Sequence, residues 1–152
     1  MSMVNKIITY VLGIILVIVL MSLLITNMGK MEEPKKFMIT GGTFDLDAYV
    51  IITDDTAYAA SYATQVLSET YTNEDFKARG LTLSDELGTT FVIWLPINSV
   101  EDTSIVHHEL LHLTYSMLHA VGIELSPETE EVYTYQLQYL SKQFYNQIKP
   151  KE

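Results

Sequence analysis

Two histidines and a glutamate stand in the arrangement His-Glu-x-x-His at His108, Glu109 and His112. Residues four apart lie on one face of an α-helix, so both imidazoles can bind one metal ion with Glu109 beside them. Catalytic zinc sites use neutral imidazoles, a further protein ligand and an open position for water, whose pKa the metal lowers. We therefore predict Zn2+ bound by His108 and His112, with Glu109 as the general base that deprotonates the attacking water.

Only one register of the neighbouring histidines gives this arrangement. Starting from His107 puts Leu111 at the second histidine position, and His119 lies seven residues beyond His112 without a matching acid. The alternative is a buried helix that happens to carry polar residues. That alternative is unfavourable, because burying two histidines and a glutamate among aliphatic side chains without a shared purpose costs free energy.

The segment that carries the motif has helix start and stop signals. Asp102, Thr103 or Ser104 can cap the free amide groups at its beginning, and Gly122 can adopt the left-handed conformation at its end. The helix is apolar on nearly every side. A helix of this kind is usually packed between other elements, so we expect the same here.

The residues after the motif limit the source of a third zinc ligand. A metzincin pattern would place Gly and His where Tyr115 and Leu118 stand. This points instead to a carboxylate on the following helix, the gluzincin arrangement. Ser126 and Pro127 predict the beginning of that helix, as cap and first residue.

Three acids fall within the first turns of this second helix. They are Glu128, Glu130 and Glu131. Periodicity leaves both Glu130 and Glu131 open as the ligand, since Glu130 lies on the flank of the apolar stripe and Glu131 lies on a different face of the helix. For any one of them, the ordinary role is to stabilise the positive end of the helix dipole.

Three segments of the C-terminal half carry a resemblance to a known family: the motif at His108 to His112, the loop Gly122–Leu125, and the run that begins Glu131-Val132-Tyr133. Together they resemble small gluzincin-type zinc metallopeptidases predicted in bacteriophage genomes, in which a glutamate four residues before a tyrosine follows the histidine pair. The resemblance implies Glu131 as the third ligand. It also implies Tyr135, one turn later, as a residue that orients a zinc histidine.

Peptide hydrolysis also needs hydrogen-bond donors for the tetrahedral oxyanion. Tyr135, Tyr115 and His119 are the candidates, His119 because it falls near the helical face of the zinc ligands. For each of them, packing or support of a ligand is the more ordinary role.

Length and charge bound the remaining possibilities. The chain has 152 residues, no cysteine and a formal charge of −10, so about one domain is expected. The lack of cysteine excludes disulfides and thiolate metal ligands. The acidic balance argues against nucleic-acid binding, which needs a basic surface.

The N-terminus predicts a membrane segment. Residues from Ile7 to Ile25 are almost all apolar, and this length is near the minimum that spans a bilayer. We expect residues 1–28 to form a retained single-pass anchor rather than a cleaved signal peptide, because no small-x-small cleavage site follows. Lysines after the segment outnumber those before it, which favours a cytoplasmic catalytic domain and leaves a periplasmic or external one open.

The rest of the chain predicts a linker over 29–36 and an α+β, minimal zincin-like domain over 37–149. Strand patterns cover 37–40, 49–52 and 90–96, with a short strand near 80–83 and a helix over 56–68. In zincins, a strand beside the active-site helix binds extended peptide by edge pairing, and 90–96 is the candidate. A buried core strand is the equal alternative.

These features together predict a membrane-anchored zinc metallopeptidase acting on a peptide or protein substrate. Two other classes stay open: a catalytically inactive, zinc-stabilised binding protein, and a structural membrane protein, either of them possibly phage-encoded.

Overall fold

The computed structural model describes residues 13–20 and 33–149. The chain divides into two compact units, Met1–Glu32 and Glu33–Glu152. The first contains helix α1 (13–20). The second is a small α+β domain whose elements are β1 (Lys35–Thr40), β2 (Asp47–Ile52), α2 (Thr56–Leu67), β3 (Leu81–Ser84), β4 (Thr90–Leu95), α3 (Thr103–Ala120) and α4 (Glu130–Ile148).

The four strands form one mixed sheet in the order β1-β2-β4-β3. β1 is antiparallel to β2, β2 is parallel to β4, and β4 is antiparallel to β3. β4 is therefore an interior strand, and the expectation that it binds peptide as an edge strand is wrong. Its continuous apolar run suits a strand that is covered on both faces. The edge beside it belongs to β3.

Helices cover both faces of the sheet. Phe91, Ile93 and Leu95 of β4 pack towards α3 and α4, in the larger apolar core. Val92 and Trp94 point the other way and pack with α2. The buried Trp94 indole donates a hydrogen bond to the carbonyl of Thr53, 2.9 Å away. This alternation fixes which face of the sheet supports α3, the helix that carries the histidine pair.

The predicted caps of α3 are present. Asp102 is the N-cap, and its side chain accepts a hydrogen bond from the Ser104 amide at 3.0 Å. Gly122 follows the helix with φ of 78°, a conformation that favours glycine. Both ends of the helix are thus set by local residues.

Helix α4 begins four residues later than Ser126, with Glu130 as its first residue. The side chain of Thr129 explains the delay. Its hydroxyl accepts a hydrogen bond from the Ser126 amide at 2.9 Å and donates one to the Glu124 carbonyl. These bonds hold the chain before Glu130 in a turn.

The predicted membrane-spanning helix requires correction. Within 13–20 and 33–149, no helix combines the length and the apolar character that crossing a bilayer requires. The single-pass membrane localisation, with its cytoplasmic catalytic domain, therefore loses its basis. The remainder of the predicted anchor, in 1–12 and 21–28, lies outside the described residues.

Candidate active site

The histidine pair converges at the exposed face of α3. The Nε2 atoms of His108 and His112 lie 3.0 Å apart, with the two rings nearly perpendicular at 83°. Two ring nitrogens this close share a proton or a cation, since two lone pairs would repel each other. Two ligands of one tetrahedral zinc ion, each bonded at about 2.0–2.1 Å, lie about 3.3 Å apart. The pair therefore fits two adjacent coordination positions.

Glu109 points from α3 towards β3 and is buried, with 5% of its surface exposed. Its Oε2 accepts a hydrogen bond from the Thr82 hydroxyl at 2.8 Å. Its Oε1 lies against Gly80, where an added Cβ would approach within 2.8 Å. The beginning of the edge strand thus holds the carboxylate in place and leaves no room for a side chain at position 80.

A cleft of about 460 Å³ opens between the beginnings of β3 and α3. It brings the zinc-ligand candidate His108 and the candidate base Glu109 together with the positively charged side chain of Arg79. The lining residues are Ala78, Arg79, Gly80, Ser104, Ile105, His108 and Glu109. The cleft therefore contains metal-ligating, basic and anion-binding groups in one place.

Arg79 is the only arginine of the chain. Its Nη2 lies 3.0 Å from Oδ2 of Asp102, the N-cap of α3. Hydrogen bonds from the side chain and the backbone amide of Ser104, and the Arg79 guanidinium, together outweigh desolvation and hold the pKa of Asp102 below its usual value. The ionised Asp102 thus fixes Arg79 at the mouth of the cleft.

The outer edge of β3 presents backbone hydrogen-bonding groups. Asp85 donates its amide to the Thr90 carbonyl at 3.0 Å, one step beyond the paired Ser84 and Phe91. Bonded and non-bonded pairs alternate in an antiparallel ladder, so the N–H and C=O groups of Thr82 and Ser84 point outwards. Within the described part of the chain, no strand pairs with them.

Helix α4 runs antiparallel to α3 in a register that two ring contacts define. Tyr133 lies 6.2 Å from Tyr115, and Tyr145 lies 5.8 Å from His107. Between these two contacts, the residue of α4 that lies at the same height as His112 along the helix axes is near residue 138. Glu131 comes seven residues earlier, which is about 10 Å along the helix axis.

The direction of the Glu131 side chain adds to this separation. It precedes the buried Tyr133 by two positions, which is about 200° around the helix, and it is exposed. Across residues 13–20 and 33–149, no three His, Cys, Asp or Glu side chains form a group that could hold a metal ion. The expected metal-binding group of His108, His112 and Glu131 is thus wrong for this part of the chain. Zinc binding by the histidine pair stays a prediction.

The candidates for oxyanion stabilisation lie away from the cleft. Tyr135 is 65% exposed on the same side of α4 as Glu131. Tyr115 stacks on His119 with ring centroids 5.9 Å apart, and His119 Nδ1 lies 3.2 Å from a Glu124 carboxylate oxygen. Tyr115 and His119 line a second cavity of about 280 Å³, next to the turn that follows β3.

Sequence reasoning missed the contribution of the segment before and within β3. Arg79, Gly80 and Thr82 all contact the site, yet residues 75–88 show no clear periodicity. The feature of the sequence that could have indicated this segment is the chain's single arginine, directly before a glycine. Arginine is over-represented where carboxylate or phosphate groups are bound, so this residue marks a candidate anion-binding position.

Comparison with protein-family models, with curated proteins and with solved structures gives no match for this chain. The resemblance to gluzincin-type metallopeptidases therefore stays a prediction that rests on the motif residues.

Proposed function

We propose that this domain is a zinc-dependent peptide hydrolase, with His108 and His112 as zinc ligands and Glu109 as general base. The observation that carries the proposal is the approach of the two Nε2 atoms to 3.0 Å beside the buried Glu109. Two imidazole nitrogens are suitable ligands for zinc, and the cleft next to them has room for a substrate. The described residues supply two protein ligands of the three that catalytic zinc sites commonly have.

The role of Glu109 follows from its surroundings. Bound zinc would lower the pKa of a water molecule and polarise the scissile carbonyl. The Thr82 hydrogen bond to Oε2 would hold the Glu109 carboxylate in place while its remaining lone pairs take the proton of the attacking water. The carboxyl group would then deliver this proton to the leaving amine, which completes general acid–base catalysis.

The edge of β3 supports a peptide as the substrate. An extended segment can add to a sheet edge through main-chain hydrogen bonds, here with the outward groups of Thr82 and Ser84. The Thr82 side chain contacts Glu109 directly. A peptide paired with Thr82 would therefore pass beside the candidate base, and recognition would depend mainly on its backbone.

The decisive experiment compares the full-length protein with its Glu109→Gln variant, both purified and titrated with zinc. We expect unchanged zinc affinity and at least a hundredfold loss of kcat/KM on a fluorogenic peptide library. Glu86→Gln, a change on the exposed turn after β3, serves as the matched control. Wild-type rates in Glu109→Gln would overturn the assignment of the base. One equivalent of zinc without any cleavage by the wild type would instead support a catalytically inactive zinc-binding protein.

A further inference from the structure

The single arginine of a chain with formal charge −10 lies in the cleft that contains His108 and Glu109. Arginine binds carboxylates through a planar fork of N–H donors, with geometry that lysine lacks. We propose that Arg79 selects peptides that present a carboxylate at the beginning of β3. This carboxylate is the free C-terminus or an acidic side chain, and the inference rests on the proposed peptide hydrolase.

The guanidinium has donors to spare for such a ligand. The contact with Asp102 engages Nη2, whereas a guanidinium carries five N–H groups. The Arg79 side chain is 76% exposed, so a ligand can reach the remaining donors. Asp102 therefore serves to position Arg79 and leaves it able to bind a second anion.

The position of Arg79 relative to the edge strand sets where the carboxylate lies. Arg79 comes three residues before Thr82, whose outward backbone groups we assign to substrate pairing. Because Arg79 lies in the bend before β3, the separation is at most the roughly 10 Å of extended chain. A substrate carboxylate bound by Arg79 would therefore lie within about three residues of the substrate residue that pairs with Thr82.

The other charged side chains at the cleft do not supply this preference. Glu109 and Asp102 are acids and would repel a substrate carboxylate. The neighbouring Lys77 pairs with Glu74 on the exposed turn before the cleft. Among the described residues, Arg79 is thus the one positively charged side chain that lines the cleft, so its removal should weaken or abolish the preference.

Peptide binding to the full-length Glu109→Gln protein, loaded with zinc, tests this inference without turnover. The probes are a fluorescein-labelled Ala/Ser heptapeptide with a free C-terminal carboxylate, the same peptide amidated, and amidated versions with Glu or Gln at each position. With Arg79 present, we expect about fivefold tighter binding of the carboxylate forms, as for a solvent-exposed ion pair. Preference for the free C-terminus alone, or for internal Glu alone, identifies the source of the carboxylate.

Substitutions of Arg79 then decide the residue's role. Arg79→Gln should abolish the preference, Arg79→Lys should retain part of it, and the matched control Lys77→Gln should leave it unchanged. Equal affinity for carboxylate and amide peptides, or a preference that survives Arg79→Gln, overturns the inference. The protein that retains Glu109 is tested for cleavage of the same peptides. If it cleaves none of them while the binding preference depends on Arg79, the binding site is supported and the hydrolase is refuted.

Discussion

Thr82 on the edge strand donates its hydroxyl to Oε2 of Glu109 on α3, at 2.8 Å. The same hydroxyl oxygen lies 3.1 Å from the Glu109 carbonyl, so its single hydrogen has two acceptors on one residue. Because the Glu109 carboxylate is buried, its direction depends on this contact. The strand that we assign to substrate binding is thus also the element that orients the proposed base.

Replacing Thr82 by Val should remove the donor while keeping the shape of the side chain. A buried acceptor without its partner costs about 1–3 kcal/mol, so we expect a loss of this size in the free energy of unfolding, measured in urea. We also expect a lower kcat at unchanged zinc affinity, because Glu109 is no longer held. Thr82→Ser retains the hydroxyl and is the control. Equal stability of the Val and Ser variants would contradict the importance of this hydrogen bond.

Gly80→Ala should disturb Glu109 directly, because the new Cβ would lie 2.8 Å from both Cγ and Oε1. Overpacking of this kind costs about 1–3 kcal/mol. The measurement is a double-mutant cycle with Glu109→Ala, by urea unfolding. In the Glu109→Ala background, Gly80→Ala should lower the free energy of unfolding much less, since the clashing atoms of Glu109 are gone. Additive effects would show that the two residues do not interact.

The turn after β3 gives a prediction for pH. Burial raises the pKa of Asp85, but hydrogen bonds from Thr90 and Thr89 outweigh it, and the net pKa is below the usual 3.8. A carboxyl group whose pKa is lower in the folded state stabilises the fold above its unfolded pKa, and this stabilisation is lost as the pH falls through the folded pKa. Asp85→Ala should therefore destabilise the protein by about 1 kcal/mol at pH 7.

The difference in the free energy of unfolding between wild type and Asp85→Ala should stay constant from neutral pH down to about pH 5 and shrink below about pH 4. Urea unfolding at several pH values measures it. A difference in the free energy of unfolding that is largest at low pH would contradict this explanation.

Zinc titration of Glu131→Ala and Glu130→Ala tests the remaining ligand question. The register between α3 and α4 places both carboxylates about 10 Å or more from the level of His112, so we expect less than a twofold change in zinc Kd for either variant. His112→Ala, in contrast, should abolish binding. A loss of tenfold or more in Glu131→Ala alone would restore Glu131 as a ligand and would require the beginning of α4 to move on metal binding.

Features encoded by adjacent residues were predictable from the sequence. The strand patterns at 37–40, 49–52 and 90–96, the helix beginning at Thr56, and the caps Asp102 and Gly122 all appear in the structure. Each depends on alternation or on one side chain that bonds the backbone nearby. The histidine pair belongs to the same class, because spacing along one helix brings its ring nitrogens together.

Features that depend on tertiary packing were not predictable in this way. The order of the strands decides that β3 rather than β4 lies at the edge, and no local pattern encodes that order. The register of α4 against α3 sets the level of Glu131, and the Thr129 turn delays the beginning of α4. The apolar run near the N-terminus predicted a membrane-spanning helix from composition alone, whereas no helix within 13–20 and 33–149 has the length and apolar character to be one.

The shortness of β3 also bears on the solubility of the domain. An exposed sheet edge is a template for edge-to-edge aggregation with other copies, and proteins limit this risk with short strands and flanking charges. β3 has four residues, with Arg79 shortly before it and Asp85 and Glu86 directly after it. The strand therefore has room for only a brief stretch of another chain, which limits extended cross-β stacking at this edge of the sheet.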